Sequence, residues 1–190
     1  MEVCNFDKIK EMAKHLEYTD KWVCLQYSYR KKDHLDEELK VNRTIRRVYT
    51  KLDKIDIKEV AGYCIKKRCR CYLQFMDGII ISTMKAFLSS TDRIEDFLGG
   101  GAYETFGLHL IDADDMSLVN THIGWLQEQG IPESDIFIFK SKTGKSIVFL
   151  GSSSIIHEWK KTGWNEINTY HMLANINLYI PDFDKLPPLD

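Results

Sequence analysis

The chain has little of what would fix its class at a glance. Proline is scarce, four in 190 residues, and three of the four (Pro181, Pro187 and Pro188) fall in the last ten positions, which reads as a tail. Long apolar runs are missing. Stretches such as Gly78–Ile81 and Ile147–Gly151 fall far short of the roughly 18–20 residues that cross a bilayer, so no membrane span is expected. Met1 to Lys14 alternates charged and apolar residues without the apolar core of a secretory signal. Cysteine is present in an odd number: Cys4, Cys24, Cys64, Cys69 and Cys71. Scattered spacing in a chain large enough to bury its own core points to reduced thiols and a cytoplasmic location. Net charge is also small, 26 basic against 28 acidic residues, so neither a wholly basic nor a wholly acidic partner follows from the total.

What is there reads as one globular domain, because a chain of this size buries roughly 70% of its unfolded surface and ordinary domains run to about 100–150 residues. Phe6, Ile9, Met12, Ala13 and Leu16 recur at three- and four-residue spacing, which predicts a helix over Phe6–Tyr18 with Asn5 as its cap. Lys21–Arg30 is rich in aromatic and branched residues and predicts a strand. Lys31–Lys40 reads as a charged loop. Gly62–Met76 alternates, with Cys69, Cys71, Leu73 and Phe75 on one side, and predicts a strand that returns through Asp77–Gly78 as a hairpin with Ile79–Met84. Phe87–Leu98 predicts a helix ended by Gly99–Gly101, Phe106–Ile111 a strand, and Leu118–Leu126 a helix stopped by Gly130–Pro132. Ile136–Lys140 and Ser146–Leu150 predict a second hairpin. Ile155–Lys160 and Glu166–Asn175 read as helical. Hairpins interleave with helices, so the expected fold is α+β: a single domain over residues 1–180 with a largely antiparallel sheet flanked by helices, and a tail over 181–190.

No coherent catalytic or metal-binding set emerges, and no catalytic residue, metal or cofactor is assigned. Thr143–Ser146 matches only the end of a phosphate-binding loop, since Phe139 stands where the first glycine belongs. His157–Glu158 opens a helical zinc motif whose second histidine is replaced by Lys161. Cys64, Cys69 and Cys71 lack a fourth ligand and read as structural thiols.

Charge is divided along the chain. Arg43 to Arg70 holds ten bases and three acids, +7; Asp92 to Asp135 holds ten acids and one base, −9. A surface of one sign steers an oppositely charged partner. The basic stretch, interleaved with Tyr49, Tyr63 and Tyr72, suits phosphates and stacked bases, and so nucleic acid. The acidic stretch suits a partner with a basic surface.

Two resemblances follow. Phe87–Leu88–Ser89–Ser90–Thr91 resembles the aromatic-x-Ser-Ser/Thr strand of ADP-ribosyltransferases, which implies NAD or nucleotide chemistry with Glu128 or Glu133 as the stabilising carboxylate and Arg30 or Arg43 upstream; a helix cap also accounts for Ser90 and Thr91. Phe97–Leu108, with Gly99, Gly100 and Gly101, followed by Asp112–Trp125 and the hairpin Asp135–Leu150 around Gly144, resembles the SUKH superfamily of immunity proteins over roughly residues 90–150. That resemblance implies a cytoplasmic bacterial protein that neutralises a cognate toxin without catalysis. The leading expectation is accordingly a non-catalytic binding protein that covers a toxin's active site or groove. Glu104, Asp112, Asp114 and Asp115 would pair with Lys or Arg of the toxin, and Tyr103 or Trp125 would be an aromatic anchor. The alternatives are a nucleotide-using enzyme and a nucleic-acid-binding protein acting through Arg43–Arg70.

Overall fold

The computed structural model describes residues 5–32, 40–76, 79–81, 104–141, 144–162 and 174–180. In chain order these form α1 (Phe6–His15), β1 (Trp22–Lys32), β2 (Lys40–Lys51), a 3-10 turn at Leu52–Lys54, α2 (Ile57–Lys67), β3 (Arg70–Phe75) and β4 (Ile79–Ile81). Then follow β5 (Glu104–Ala113), a 3-10 turn at Met116–Leu118, α3 (Val119–Glu128), β6 (Ile136–Lys140), β7 (Lys145–Ser152), α4 (Ser153–Lys160) and β8 (Asn175–Asn177). The architecture is α+β, and its strands are shared between two antiparallel sheets ordered β2-β1-β3-β8 and β4-β5-β7-β6. Two compact units result, each drawn from separated segments: 1–76 with 139–145 and 175–190, and 77–138 with 146–174.

In the first unit the period-two alternation of strands divides the sheet cleanly. Val23, Leu25 and Tyr27 of β1, Cys71, Leu73 and Phe75 of β3 and Ile176 of β8 are buried on one face, in register as Val23↔Phe75, Leu25↔Leu73 and Tyr27↔Cys71. Tyr18, just after α1, lays its ring 5.8 Å from Phe75. β2 is an edge strand paired with β1 along its full length, with one extra residue, Ile45, where the register steps between Tyr27↔Arg46 and Ser28↔Thr44.

Gly62–Met76 is not one strand. Its first part completes α2, whose cap Asp56 accepts a 3.0 Å bond from the Lys58 amide, and Val60, Ala61 and Cys64 form the helix's buried side. Lys67, which breaks the alternation, is the last helical residue, and Arg68 turns the chain at φ 52 in the left-handed region. Val60, Tyr63 and Cys64 follow three- and four-residue spacing, while Ile65, which fits the alternation, is exposed on the helix. The return to Ile79–Ile81 is also different: β4 pairs with β5 (Ile79↔Phe106), while β3 pairs with β1 and β8. Lys31, Lys32 and Lys40 belong to β1 and β2 rather than to a loop. The predicted Phe87–Leu98 helix, the turn at Gly99–Gly101, most of Glu166–Asn175 and the tail lie outside the described residues; Asn175 itself opens β8.

The second unit is built on Ile111, Leu126, Ile131, Ile147, Phe149 and Trp159, which form one buried cluster. Gly130 at φ 92 ends α3. His109 sets Nε2 3.0 Å from the Gly151 carbonyl, and His122 Nδ1 accepts a 3.2 Å bond from the Trp159 indole N–H. Both histidines are fully buried and serve packing.

Asn5 ties the first unit together. It occupies the cap position of α1, yet its side chain makes no cap bond. Its amide instead donates 2.7 Å bonds to the Lys140 and Asn177 carbonyls and accepts a 3.0 Å bond from the Lys140 N–H, and its backbone N–H reaches the Leu178 carbonyl at 3.2 Å. Removing one partner of a buried hydrogen bond costs about 1–3 kcal/mol for each group left unsatisfied. Asn5→Ala, which strands three backbone groups, is expected to lower unfolding free energy by at least about 3 kcal/mol in urea; a loss below about 1 kcal/mol would show that water replaces the amide.

Candidate nucleic-acid interface

The outward face of the first sheet follows from the same alternation that buries Val23, Leu25 and Tyr27. Trp22, Cys24 and Gln26 of β1 stand on it, with Lys51, Tyr49 and Arg47 of β2 directly opposite them in that order. Gln74 and Tyr72 of β3 continue the rows through Cys24↔Gln74 and Gln26↔Tyr72, and β8 adds Asn175 and Asn177. Three aromatic rings therefore occupy three successive rows: Trp22 on β1, Tyr49 on β2, Tyr72 on β3. Trp22 is 52% exposed and Tyr49 59% exposed, high values for rings of this size. Each sits by a cation. Lys51 Nζ lies 5.9 Å over the Trp22 ring, and Arg47 is exposed two residues from Tyr49 on the same strand face. Arg70, half-buried at the end of β3, carries the same face onward across Ser28.

Between the rings, Cys24 is buried, and burial pushes its thiol above the ordinary range despite a Tyr49 hydrogen bond and the Arg47 charge, both of which favour thiolate. Gln26 donates a 2.8 Å bond from Nε2 to Thr44 Oγ1. The face is thus a floor of amides and one neutral thiol with rings and cations standing above it.

On the opposite face, Tyr27 and Tyr63 meet edge to face at 4.5 Å between centroids, and the Arg46 guanidinium stacks 4.8 Å over Tyr63. Tyr63 and Arg46, though inside the basic stretch, point away from Tyr49 and Tyr72. Beneath them lie the thiols. Cys69 is hydrogen-bonded to Cys64, which with burial raises its pKa well above the usual thiol value; Cys71 donates to the Tyr72 carbonyl at 3.8 Å. Burial and the neighbouring thiols Cys71 and Cys64 raise the Tyr27 phenol likewise. The Cys69 thiol and the Tyr27 phenol stay protonated in the fold. Among the described residues no group of three or more His, Cys, Asp or Glu side chains is placed to hold a metal ion, and no helix is long and apolar enough to cross a membrane.

The acidic residues lie in the second unit. Asp112 is half-buried near the end of β5, and Asp114 and Asp115 are exposed just beyond it. Asp115 accepts bonds from the Ser117 N–H at 2.9 Å and hydroxyl at 2.6 Å, which hold its carboxyl below the usual range and cap the following 3-10 turn. Trp125 is partly buried against the core cluster. Glu104 opens β5 opposite Ile81; Tyr103 lies outside the described residues, as do Ser89, Ser90 and Thr91. Glu128 and Glu133 are exposed on α3 and on the 3-10 turn at Glu133–Asp135. Gly144 N–H donates to Ser141 Oγ at 3.0 Å within the β6–β7 turn, and Ser146 is buried in β7, the geometry of a hairpin. The signal overlooked in the sequence is Trp22: its register opposite Lys51 depends on β2, which composition alone leaves undefined.

Raised thiol and phenol pKa values make stability depend on alkali in one direction. The neutral forms contribute fully below the unfolded thiol value of 9.0, and that contribution is lost as pH rises above it, because only the unfolded thiols ionise there. The urea midpoint is expected to hold steady to about pH 8.5 and to fall by about pH 10, with a shallower fall in Cys69→Ala; a midpoint unchanged at about pH 10 contradicts this. Cys64, Cys69 and Cys71 should alkylate only on unfolding.

No family model, curated protein or solved structure matches the chain.

Proposed function

We propose that the chain is a non-catalytic binding protein whose partner is single-stranded nucleic acid, held on the outward face of the first sheet. The observation that carries this reading is the exposure of Trp22 and Tyr49 on one face with Lys51 and Arg47 beside them. Bases have apolar faces and a charged backbone, so a strand needs flat rings for the one and cations for the other, at alternating positions. Period two supplies that alternation: cations and rings share β2 at Arg47, Tyr49 and Lys51. Adjacent strands lie about 4.8 Å apart, so the strands that carry Tyr49 and Tyr72 are about 10 Å apart with β1 between them; Tyr72 stands one row further along, in the row of Gln26, and Gln74 shares the row of Tyr49.

Binding of fluorescent single-stranded oligonucleotides, DNA and RNA in parallel, tests this. Trp22→Ala and Tyr49→Ala should each weaken binding by roughly 1–3 kcal/mol. Three phosphate contacts from Arg47, Lys51 and Arg70 predict a slope of log affinity on log salt near about −2. Affinity indifferent to both rings, or flat in salt, defeats the proposal.

A second reading, toxin neutralisation by an acidic surface, is favoured by one further observation. From residue 94 to residue 139 the chain has nine carboxylates and no Lys or Arg, and Asp114, Asp115, Glu128 and Glu133 of this stretch are exposed. The SUKH resemblance supports the same partner class, a protein toxin whose basic groove the carboxylates would occupy in place of phosphate. Asp114, Glu128 and Glu133 changed together to Lys should slow association with the product of a neighbouring toxin reading frame by about tenfold or more at low salt. An unchanged association rate removes these acids from the interface.

A further inference from the structure

On the buried side of the same sheet, between β1, β2 and α2, the first unit forms a cleft of about 320 Å³ that is open at its rim, at the lower end of the range typical of small-molecule sites. Its floor is apolar, with Leu25, Val48 and Val60. One wall is aromatic: Tyr27 and Tyr63 meet edge to face, and the Arg46 guanidinium extends the flat surface over Tyr63. The exposed rim carries two cations, Arg46 and Lys54, and two carboxylates, Asp56 and Glu59. An ionised ligand would gain from one pair and lose to the other. An uncharged ligand bearing both donors and acceptors can use both, and an apolar floor beside a flat wall favours a planar ring.

We infer that this cavity between β1, β2 and α2 is a binding site for an uncharged planar heterocycle of the nucleoside class. The ring lies over Leu25 and Val48 beside Tyr63; its exocyclic donors meet Glu59 and its acceptors meet Arg46 or Lys54. Asp56 contributes less, because its carboxylate already caps α2. The site stands apart from the outward face, since a nucleoside has no phosphate for Arg47 and Lys51 to hold.

Calorimetric titration of the full chain with adenosine, guanosine, cytidine and uridine, each alone, tests it. At least one should give saturable binding. Thr50→Trp, which fills the cavity from β2 and leaves the outward face untouched, should weaken that binding by about tenfold or more, and Glu59→Ala by about tenfold; circular dichroism confirms that each variant is folded. Absence of saturable binding by all four nucleosides overturns the inference. So does binding undiminished in Thr50→Trp, which would place the ligand on Trp22 or Tyr49 instead. A 5′-monophosphate that binds about tenfold tighter than its nucleoside also overturns it, since the balanced rim gives phosphate no advantage.

Discussion

Asn5 is the constraint on which the first unit depends. Its neutral amide holds three stretches of backbone that are far apart in the chain: its own at the start of α1, Lys140 in β6, and Asn177 at the end of β8. Carboxamide is the one side-chain group with two donors and an acceptor in this compact form; aspartate would offer no donor to the two carbonyls, and leucine would leave all three backbone groups dry. The backbone adds a parallel tie from the Leu178 N–H to the Cys71 carbonyl at 2.9 Å. The segment after β8 is therefore fixed to β3 on one side and to Asn5 on the other, and β3 in turn sets the register of β1 and hence of β2. The outward rows of rings inherit their alignment from that chain of backbone bonds.

α1 shows the cost of this arrangement. A helix normally satisfies part of its first turn with its cap side chain, and Asn5 has the right chemistry for that task. Committing the amide elsewhere leaves the first turn without a side-chain cap; Asp7, in that turn, offers favourable charge near the positive helix end. Local capping thus gives way to a long-range tie, which no reading of neighbouring residues anticipates.

Elements whose pattern is set by their own residues were legible in the sequence. α1 shows its buried side in Phe6, Ile9, Met12 and Ala13, and the hairpin of β6 and β7 is marked by apolar strands around Gly144. α3 was likewise expected around Leu126. What failed was decided by partners. β2 reads as mixed because, at the edge of the sheet, its cations fall on both faces, Arg46 on one and Arg47 and Lys51 on the other. Gly62–Met76 fits helix or strand equally until the Asp56 cap and the left-handed Arg68 divide it. The acids Asp112, Asp114 and Asp115 were legible as residues but not as environments: one is half-buried, one exposed, and one spends its carboxylate on Ser117.

The basic stretch makes the same point about charge. Ten bases in 28 residues suggest a single patch, yet the fold distributes them by the periodicity of the elements that carry them. Along β2, Arg47 and Lys51 face outward beside Tyr49 and Trp22, whereas Arg46 turns inward to stack on Tyr63. Lys66, Lys67 and Arg68 gather at the end of α2, where cations offset the negative end of the helix dipole, and Lys54 lines the cavity together with Asp56 and Glu59. Only a few of the ten bases are left to meet a partner on the ring-bearing face, so the rings rather than the net charge must supply most of the selectivity there. A strand-by-strand count of charge is consequently a better guide to the interface than the sum over the segment, and it moves the centre of the proposed site from Arg43–Arg70 as a whole to the four residues Trp22, Arg47, Tyr49 and Lys51.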